Sequence, residues 1–274
     1  MAYDKAVDSA ALDGALTYTA DRIRAKTGNT AQISFDAAKG FGDAVDEIQT
    51  GGNGASIWEL MQTFQISPNA TATEIVANIP NVTTLYGCLT YCRNTNIKKV
   101  ELTVSDKLTD LSRLSNNIAP IKLEEIIFHG DLSKVTNMNL AFACGGTGAN
   151  RTLRKITGLD FSSVTNATNA FASQWGLADL EIKADTVNVS LGIDSKSLSA
   201  DSCVNLLNAL KDRTDLDALT LTCKEELKDT TTGRLYIYYT KIDTDTGLYV
   251  SCEQTDDGAM TIAAAITAKN WTIA

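Results

Sequence analysis

The chain offers few side chains for acid–base or nucleophilic catalysis. It contains one histidine, His129, and no G-x-S-x-G motif, which would mark an activated serine, lies near it. Pairs of adjacent acidic residues occur at 124–125, 225–226 and 256–257. Because neighbours on a strand point to opposite faces, no such pair by itself places two carboxylates about a glycosidic bond. The sequence therefore predicts no catalytic residues, and a glycan-acting hydrolase is the less favoured alternative.

The metal-binding patterns are incomplete as well. Cys88 and Cys92 are spaced for two ligands on one helical turn, but no second Cys/His pair completes a tetrahedral site. The run Asp-Thr-Asp-Thr-Gly at 243–247 lacks the third acidic ligand and the distal Glu of a calcium loop, so it is interpreted as a turn. The six cysteines are interpreted as mostly buried thiols. We predict neither a metal site nor a cofactor.

Charge and hydropathy argue against two classes of partner. The chain has 24 Lys and Arg against 33 Asp and Glu, and the resulting net charge of −9 opposes a sequence-independent grip on nucleic-acid phosphates. No stretch approaches the roughly 20 apolar residues of a membrane helix, and residues 1–16 lack the apolar core of a signal peptide. We expect cytoplasmic synthesis, followed by association with a virion or by release on lysis.

An internal repeat organises the elements that carry these residues. Four segments begin with an apolar residue and a threonine, at spacings of 26, 27 and 29 residues, which is the range of leucine-rich repeats. The segments are Val82-Thr83-Thr84-Leu85, Leu108-Thr109-Asp110-Leu111, Val135-Thr136-Asn137-Met138 and Val164-Thr165-Asn166-Ala167. Each is followed by a station of the form apolar-x-x-apolar-x-apolar. The stations are Ile97, Val100, Leu102; Leu123, Ile126, Phe128; Leu153, Ile156 with an offset Leu159; and Leu177, Leu180, Ile182.

The stations predict the fold class. Their last three residues alternate apolar, polar, apolar, so each suits a short strand with one face toward a core. The threonine segments suit a short helix or an irregular turn on the opposite wall. A helix over 200–212, with Ser199 as its N-cap, precedes weaker stations at 216–221 and 271–273. Because one coil of about 26 residues cannot cover its own apolar face, we predict an α/β leucine-rich-repeat solenoid over 56–274 with short parallel strands.

Residues 1–49 depart from the repeat. Their apolar spacing predicts two amphipathic helices. Two such helices have too little core to be stable alone, so we predict that they form an attachment or oligomerisation module. A helical hairpin that only caps the solenoid is the alternative. Residues 50–55, Thr-Gly-Gly-Asn-Gly-Ala, have the composition of a flexible linker.

A second departure lies at about 230–258. Residues 235–239 and 248–252 alternate like strands, and the turn at 243–247 separates them, so an inserted β-hairpin is predicted. The hairpin contains Tyr236, Tyr238, Tyr239 and Tyr249. Tyrosine provides a large contact area with a polar tip, which favours a binding role. The alternative is that cross-strand tyrosines only stabilise the hairpin and cover the solenoid.

The repeats resemble bacterial surface-antigen-type (BspA-like) leucine-rich repeats, whose coils end in L-x-x-I-x-F strands. The runs Tyr-Thr-Ala-Asp-Arg-Ile-Arg-Ala-Lys-Thr-Gly at 18–28 and Lys-Gly-Phe-Gly-Asp-Ala-Val at 39–45, with the ending Ala-Lys-Asn-Trp-Thr-Ile-Ala, are similar to tail-associated structural proteins of phages and prophages in gut Firmicutes. The tyrosine-rich insert departs from that pattern. The resemblance implies a non-enzymatic binding or structural protein, with the repeats as the display surface and the N-terminal helices as the attachment element.

Together these observations favour recognition over catalysis. The expected partner is a protein or a cell-surface glycan, and residues 1–49 are expected to contact a phage structural protein or further copies of the chain. A bacterial cell-surface adhesin would use the same repeats and is the principal alternative. The candidate binding residues are the solvent-facing side chains of the sheet and the hairpin tyrosines: Lys99, Glu101, Glu125, Ile127, Thr157, Glu181, Tyr236, Tyr238, Tyr239 and Tyr249.

Overall fold

The computed structural model describes residues 73–89, 96–116, 122–143 and 152–274. The predicted helical module at 1–49, the linker at 50–55 and the first residues of the predicted solenoid lie outside these ranges, as do Cys92 and Cys144. The described part of the chain forms a solenoid of about five parallel-stranded turns, followed by a smaller mixed region.

A five-stranded parallel sheet forms one wall of the solenoid, in the order β1-β2-β3-β4-β5. The strands are β1 (Glu74–Asn78), β2 (Lys99–Val104), β3 (Glu125–Gly130), β4 (Lys155–Leu159) and β5 (Asp179–Ile182). The four predicted stations are β2 to β5, and their alignment into one parallel sheet is confirmed. Strand β1 was not predicted, because Ile75 and Ala77 are its only inward apolar residues and neither is fully buried.

The apolar residues of the stations form one continuous core. All of them are at most 3% exposed, including the offset Leu159. Phe142 and Phe171 from the opposite wall stack with ring centroids 5.3 Å apart, and Phe128 meets Phe142 edge-on at 6.4 Å. Burying a side chain of this kind contributes about 1.5–3 kcal/mol, so the stacked coils are held together mainly by this core.

Irregular turns rather than helices build the opposite wall. The backbone N–H groups of Thr109, Thr136 and Thr165 each donate to the carbonyl of the threonine one coil earlier, at 2.9 Å, and their hydroxyls donate to the same oxygens at 3.1–3.3 Å. At the next position, the side chains of Asp110, Asn137 and Asn166 accept from the N–H two residues further on, at 2.9–3.2 Å. This ladder explains why the repeat begins with an apolar residue, a threonine and then a residue that can close an Asx turn.

Each of these turns ends in a left-handed residue. The backbone φ is +62° at Gly87 and +55° at Arg113, Leu140 and Asn169, which occupy equivalent positions in successive coils. A non-glycine residue in this region costs roughly 1–2 kcal/mol, and the repeated hydrogen bonds of the wall offset that cost.

The offset of Leu159 in the repeat is a β-bulge. Ile156 pairs with Leu180, whereas Leu159 pairs with Ile182, so β4 contains one more residue than β5 between these rungs. The bulged segment includes Gly158, whose backbone φ is +80°. A Cβ atom added to Gly158 would lie 2.1 Å from the Phe128 carbonyl oxygen. Only glycine fits this close approach, and the bulge restores an apolar residue to the core side.

The last two predicted stations do not join the five-stranded sheet. Strands β6 (Leu191–Ile193), β7 (Leu219–Cys223) and β11 (Trp271–Ile273) form a separate parallel sheet in the order β11-β7-β6. Between β6 and β7, helix α1 (Ala200–Ala209) begins at the predicted N-cap, since the Ser199 side chain accepts from the Ser202 N–H. It ends earlier than predicted because Leu210 is extended and forms a bridge with Val187.

The predicted hairpin is correct in its turn and second strand but wrong in its first strand. Residues 235–239 were expected to be extended, whereas α3 (Arg234–Ile237) covers most of them, after a short helix α2 (Glu225–Lys228). The Asp229 carboxylate accepts from the Thr231 and Thr232 N–H groups and turns the chain into α3, whose Leu235 is fully buried. An apolar residue flanked by tyrosines suits a helical turn as well as a strand, so the alternation misled the prediction.

The hairpin strands are β8 (Tyr239–Ile242) and β9 (Tyr249–Cys252), and β10 (Met260–Thr261) pairs with the other side of β8. Helix α1 covers two strand edges with polar side chains. Ser202 and Asn205 accept from the Leu180 and Ile182 N–H groups of β5, at 2.9 and 2.7 Å. Asn208 both donates to the Tyr249 carbonyl and accepts from the Tyr249 N–H, each at 2.8 Å.

The Lys-Asn-Trp sequence after helix α4 (Ile262–Ala268) fastens the end of the chain to the loop that follows α1. Lys269 Nζ donates to the Leu207 and Leu210 carbonyls at 3.0 and 2.6 Å. Asn270, at φ +60°, donates to two further backbone carbonyls, and Trp271 Nε1 donates to a third. These side chains together donate to five carbonyls at the C-terminal end of α1 and in the loop that follows it.

Candidate functional site

The outward face of the five-stranded sheet displays a row of alternating charge. The aligned residues are Glu74, Lys99, Glu125, Lys155 and Asp179, one from each strand in order. Adjacent strands lie about 4.8 Å apart, so each charge has an opposite charge beside it. The face is therefore internally compensated along this row, and cross-strand pairs of this kind also favour the observed register.

A second row on the same face mixes apolar and polar side chains. It consists of Val76, Glu101, Ile127 and Thr157, of which Val76 is 69% exposed and the others are half-buried. Glu181 is exposed on β5 beyond the bulge. All six predicted sheet residues thus lie on one outward face. We call this surface, which consists of the two rows and Glu181, the sheet face.

Glu101 is the centre of an ion cluster on the sheet face. Its carboxylate contacts Lys99 Nζ at 2.6 Å and His129 Nε2 at 2.8 Å. The hydrogen bond from Lys99, and then the one from His129, lower the pKa of Glu101, and the pKa of Lys99 is raised by the same contact. Ion pairs near the surface contribute little to stability, so we infer that the main effect of this cluster is to orient the side chains of Lys99, Glu101 and His129. The single histidine is a partner of Glu101.

A cavity of about 500 Å³ opens where strands β3 to β5 end. Its lining includes Asp131, Asp160, Glu181 and Lys183. Burial by itself would raise the pKa of Asp160, but hydrogen bonds from Lys183 at 2.8 Å and from Ser162 outweigh it, so the net shift is downward. This cluster could not be predicted from the sequence, because its members belong to different coils and the bulge carries Asp160 inward.

The structure separates the four hairpin tyrosines. Tyr236, Tyr238 and Tyr249 pack against the apolar core, and the Tyr249 ring also lies 5.8 Å from Lys269 Nζ. Tyr239 is half-buried and lines a second cavity, of about 660 Å³, together with Tyr238. Three of the four therefore have a packing role, which the alternative interpretation of the insert predicted, and Tyr239 differs from them.

Most carboxylates of the adjacent acidic pairs are held by lysines. Glu124 contacts Lys98 at 3.3 Å, Glu225 contacts Lys228 at 3.5 Å, Glu226 contacts Lys196 at 2.7 Å and Asp256 contacts Lys241 at 2.9 Å. The pKa values of Glu226 and Asp256 are lowered, chiefly by the hydrogen bonds from these lysines. A general acid needs the opposite shift, so this arrangement does not favour glycoside hydrolysis by these two groups.

The surroundings of the cysteines and of the Asp-rich turn are those of structural residues rather than of metal ligands. Cys88, Cys203 and Cys223 are buried, and burial raises the pKa of Cys203 and of Cys223 to about 12. In the turn, the Asp243 carboxylate accepts from the Asp245 N–H and the Thr246 hydroxyl, which closes it without an ion. In the described ranges no three His, Cys, Asp or Glu side chains come together as metal ligands would.

Within residues 73–89, 96–116, 122–143 and 152–274, none of the helices has the length and apolar character needed to cross a bilayer. Comparisons of the chain with protein-family models, with curated proteins and with solved structures give no significant match.

Proposed function

We propose that this protein acts by recognition rather than catalysis, and that the sheet face is the surface that contacts its partner. The observation that carries the proposal is the five-stranded array of outward side chains, which is held in register by the core beneath and by the threonine ladder of the opposite wall. A rigid array of this kind presents side chains to a partner at little entropic cost. The partner is a protein or a glycan on a cell surface.

The chemistry of the sheet face supports this proposal. Val76 and Ile127 provide apolar contact area, while Glu125, Thr157 and Glu181 offer acceptors around them. Apolar groups surrounded by polar ones are typical of recognition surfaces. Lys99 and Glu101 fix one another in place, so their polar atoms are already oriented before a partner arrives.

The resemblance to surface-antigen-type repeats supports a place for the protein in a phage or prophage tail or baseplate. In that setting residues 1–49 attach the chain to a structural protein or to its own copies, and the solenoid faces the target. We expect a chain lacking residues 1–50 to keep its repeat fold and to lose self-association. Circular dichroism and light scattering on that chain measure the two properties. Collapse of the fold would instead mean that the segment caps the solenoid.

The sheet face itself is tested by binding of the purified protein to whole bacterial cells and to a glycan array. The test variant combines Glu125→Gln, Ile127→Ala and Glu181→Gln. We expect saturable binding that weakens at least about tenfold in this variant, because truncated contacts at the centre of an interface typically cost more than 1 kcal/mol each.

A matched control comes from the turn before β7. Asp215, Leu216 and Asp217 are exposed and also comprise two carboxylates and one branched apolar side chain. The variant Asp215→Asn/Leu216→Ala/Asp217→Asn therefore removes the same kinds of group from a different surface. Binding should be unchanged in this control. Equal binding by the wild type and the sheet-face variant would refute the assignment of the surface.

A further inference from the structure

The second cavity lies on one face of the antiparallel sheet β10-β8-β9. Tyr239 stands on the central strand, opposite Cys252 of β9 on one side and Thr261 of β10 on the other. Directly paired residues of antiparallel strands share a face, so Tyr239 occupies the middle of this surface. The cavity beside it is lined by residues of α1, α3, β8, β9 and the segment after β9. We call it the hairpin cleft.

The lining of the hairpin cleft is mainly polar and includes a few apolar and aromatic side chains. Ile237 is 48% exposed although it is a large apolar residue, and it stands beside Tyr238 and Tyr239. Glu253, Gln254 and Asp256 provide the polar part of the lining. The volume of about 660 Å³ lies within the roughly 300–1,000 Å³ that small-ligand sites occupy.

The polar groups of the cleft divide into fixed and unengaged ones. Asp256 is held by Lys241 at 2.9 Å, and β9 is held to α1 by the Asn208 bonds and by Ser251, which donates to Asp201 at 3.1 Å. By contrast, within the described residues the Tyr239 hydroxyl, the Glu253 carboxylate and the Gln254 amide make no hydrogen bond to the protein. A rigid frame therefore surrounds groups whose hydrogen-bonding capacity is free for a ligand.

The charge of the cleft restricts the ligand. The lining contributes two carboxylates, Glu253 and Asp256, and only Asp256 contacts an ammonium group, that of Lys241. A second anion would be repelled, so phosphates and acidic sugars are disfavoured. A pyranose ring has an apolar C–H face that packs on an aromatic ring, and its hydroxyls donate to carboxylate and amide oxygens.

We propose that the hairpin cleft binds a neutral carbohydrate, with Tyr239 as the platform and with Glu253 and Gln254 as hydroxyl partners. The inference extends the proposed function by a second site with its own ligand class, and it depends on the protein being a recognition protein. It differs from the sheet face in position and in chemistry, so the two can be tested separately.

The test uses the full-length protein and saturation-transfer difference NMR. The probes are glucose, galactose, mannose and N-acetylglucosamine, with N-acetylneuraminic acid as the acidic sugar. We expect saturable transfer to at least one neutral sugar and none to the acidic one. Tyr239→Ala should weaken binding about tenfold or more, as expected for loss of a central aromatic contact. Tyr239→Phe, which keeps the ring, and Gln254→Ala, at an exposed position, should each weaken it less.

Tyr86→Ala is the matched control. Tyr86 is 53% exposed on the opposite wall of the solenoid, so this substitution removes the same group from another surface. Circular dichroism of each variant verifies the fold. Absence of transfer to every neutral sugar, or equal transfer in Tyr239→Ala and wild type, would overturn the cleft proposal. Cell binding that survives in Tyr239→Ala and is lost in the sheet-face variant would leave the proposed function intact, so the two failures are distinguishable.

Discussion

Replacement of Gly158 by alanine should be among the most destabilising single substitutions in the solenoid. The glycine has φ +80°, and an added Cβ atom would lie 2.1 Å from the Phe128 carbonyl oxygen and 3.3 Å from the Phe128 Cβ. Heavy atoms do not approach within 3.0 Å in this way, so β4 must move about 1 Å from β3. The left-handed backbone costs roughly 1–2 kcal/mol, and the displaced rungs cost about 1 kcal/mol per hydrogen bond. We expect a loss of about 3–5 kcal/mol in the free energy of unfolding.

Two other glycines separate these contributions. Gly247 has φ +71° with no atom within 4 Å of an added Cβ, so Gly247→Ala carries only the backbone cost, offset by the lower entropy of the unfolded chain. We expect about 0.5–1.5 kcal/mol for it. Gly192 has neither a positive φ nor a near neighbour, so Gly192→Ala should be neutral or stabilising by about 0.5 kcal/mol.

The assay is urea unfolding of the wild type and the three variants, monitored by far-UV circular dichroism and extrapolated to water. The informative quantity is the difference between Gly158→Ala and Gly247→Ala, because both lose a positive-φ glycine and only one gains a clash. Equal destabilisation of the two would refute the close approach of β4 to Phe128, and with it the bulge that explains the offset of Leu159.

Three further predictions concern single polar side chains. The pKa of Asp160 is lowered from 3.8 in the folded state, so its stabilising contribution is present above that value and is lost as the pH falls through the folded pKa. Asp160→Asn should therefore be less stable than wild type in urea titrations at pH 7, and the gap should narrow toward pH 3; a constant gap would contradict this. Lys269→Met should lose about 1–3 kcal/mol in thermal unfolding, with Lys211→Met, at an exposed site, as the unaffected control. Asn208→Ala should lose about 1–3 kcal/mol and speed amide hydrogen exchange at Tyr249 N–H; unchanged exchange there would mean that Asn208 does not protect the edge of β9.

The parallel sheet could be predicted because burial imposes a two-residue parity on every strand. Val100 and Leu102 face the core and Glu101 faces out, and the same parity repeats in β3 and β5. The bulge was visible as the displaced Leu159. Parity cannot determine where a short alternating segment becomes a helical turn, as at Leu235. It also cannot determine which strands of one pattern leave the main sheet, as β7 and β11 do when they pair with each other in a separate sheet.

The candidate site divides in the same way. Lys99, Glu125 and Thr157 were placed on the outward face because strand parity puts them there. Tyr239 could not be distinguished from Tyr236 or Tyr249, because their separation depends on which rings the core covers, and that is a property of packing between distant segments. The Lys-Asn-Trp ending was noticed as a motif, but its bonds span more than 50 residues and only the folded chain reveals them.

The edge bonds that Ser202 and Asn205 make to β5 have a consequence for how a protein of this design changes length. Helix α1 covers the edge of the sheet, and these two side chains bond only to the last strand. The bonds therefore do not depend on how many strands come before it. Duplication of one coil upstream of β5 would lengthen the sheet face by about 4.8 Å and leave the terminating helix untouched. Sheet faces of different length can thus arise by gene duplication within the chain, while the helix that covers the last strand stays the same.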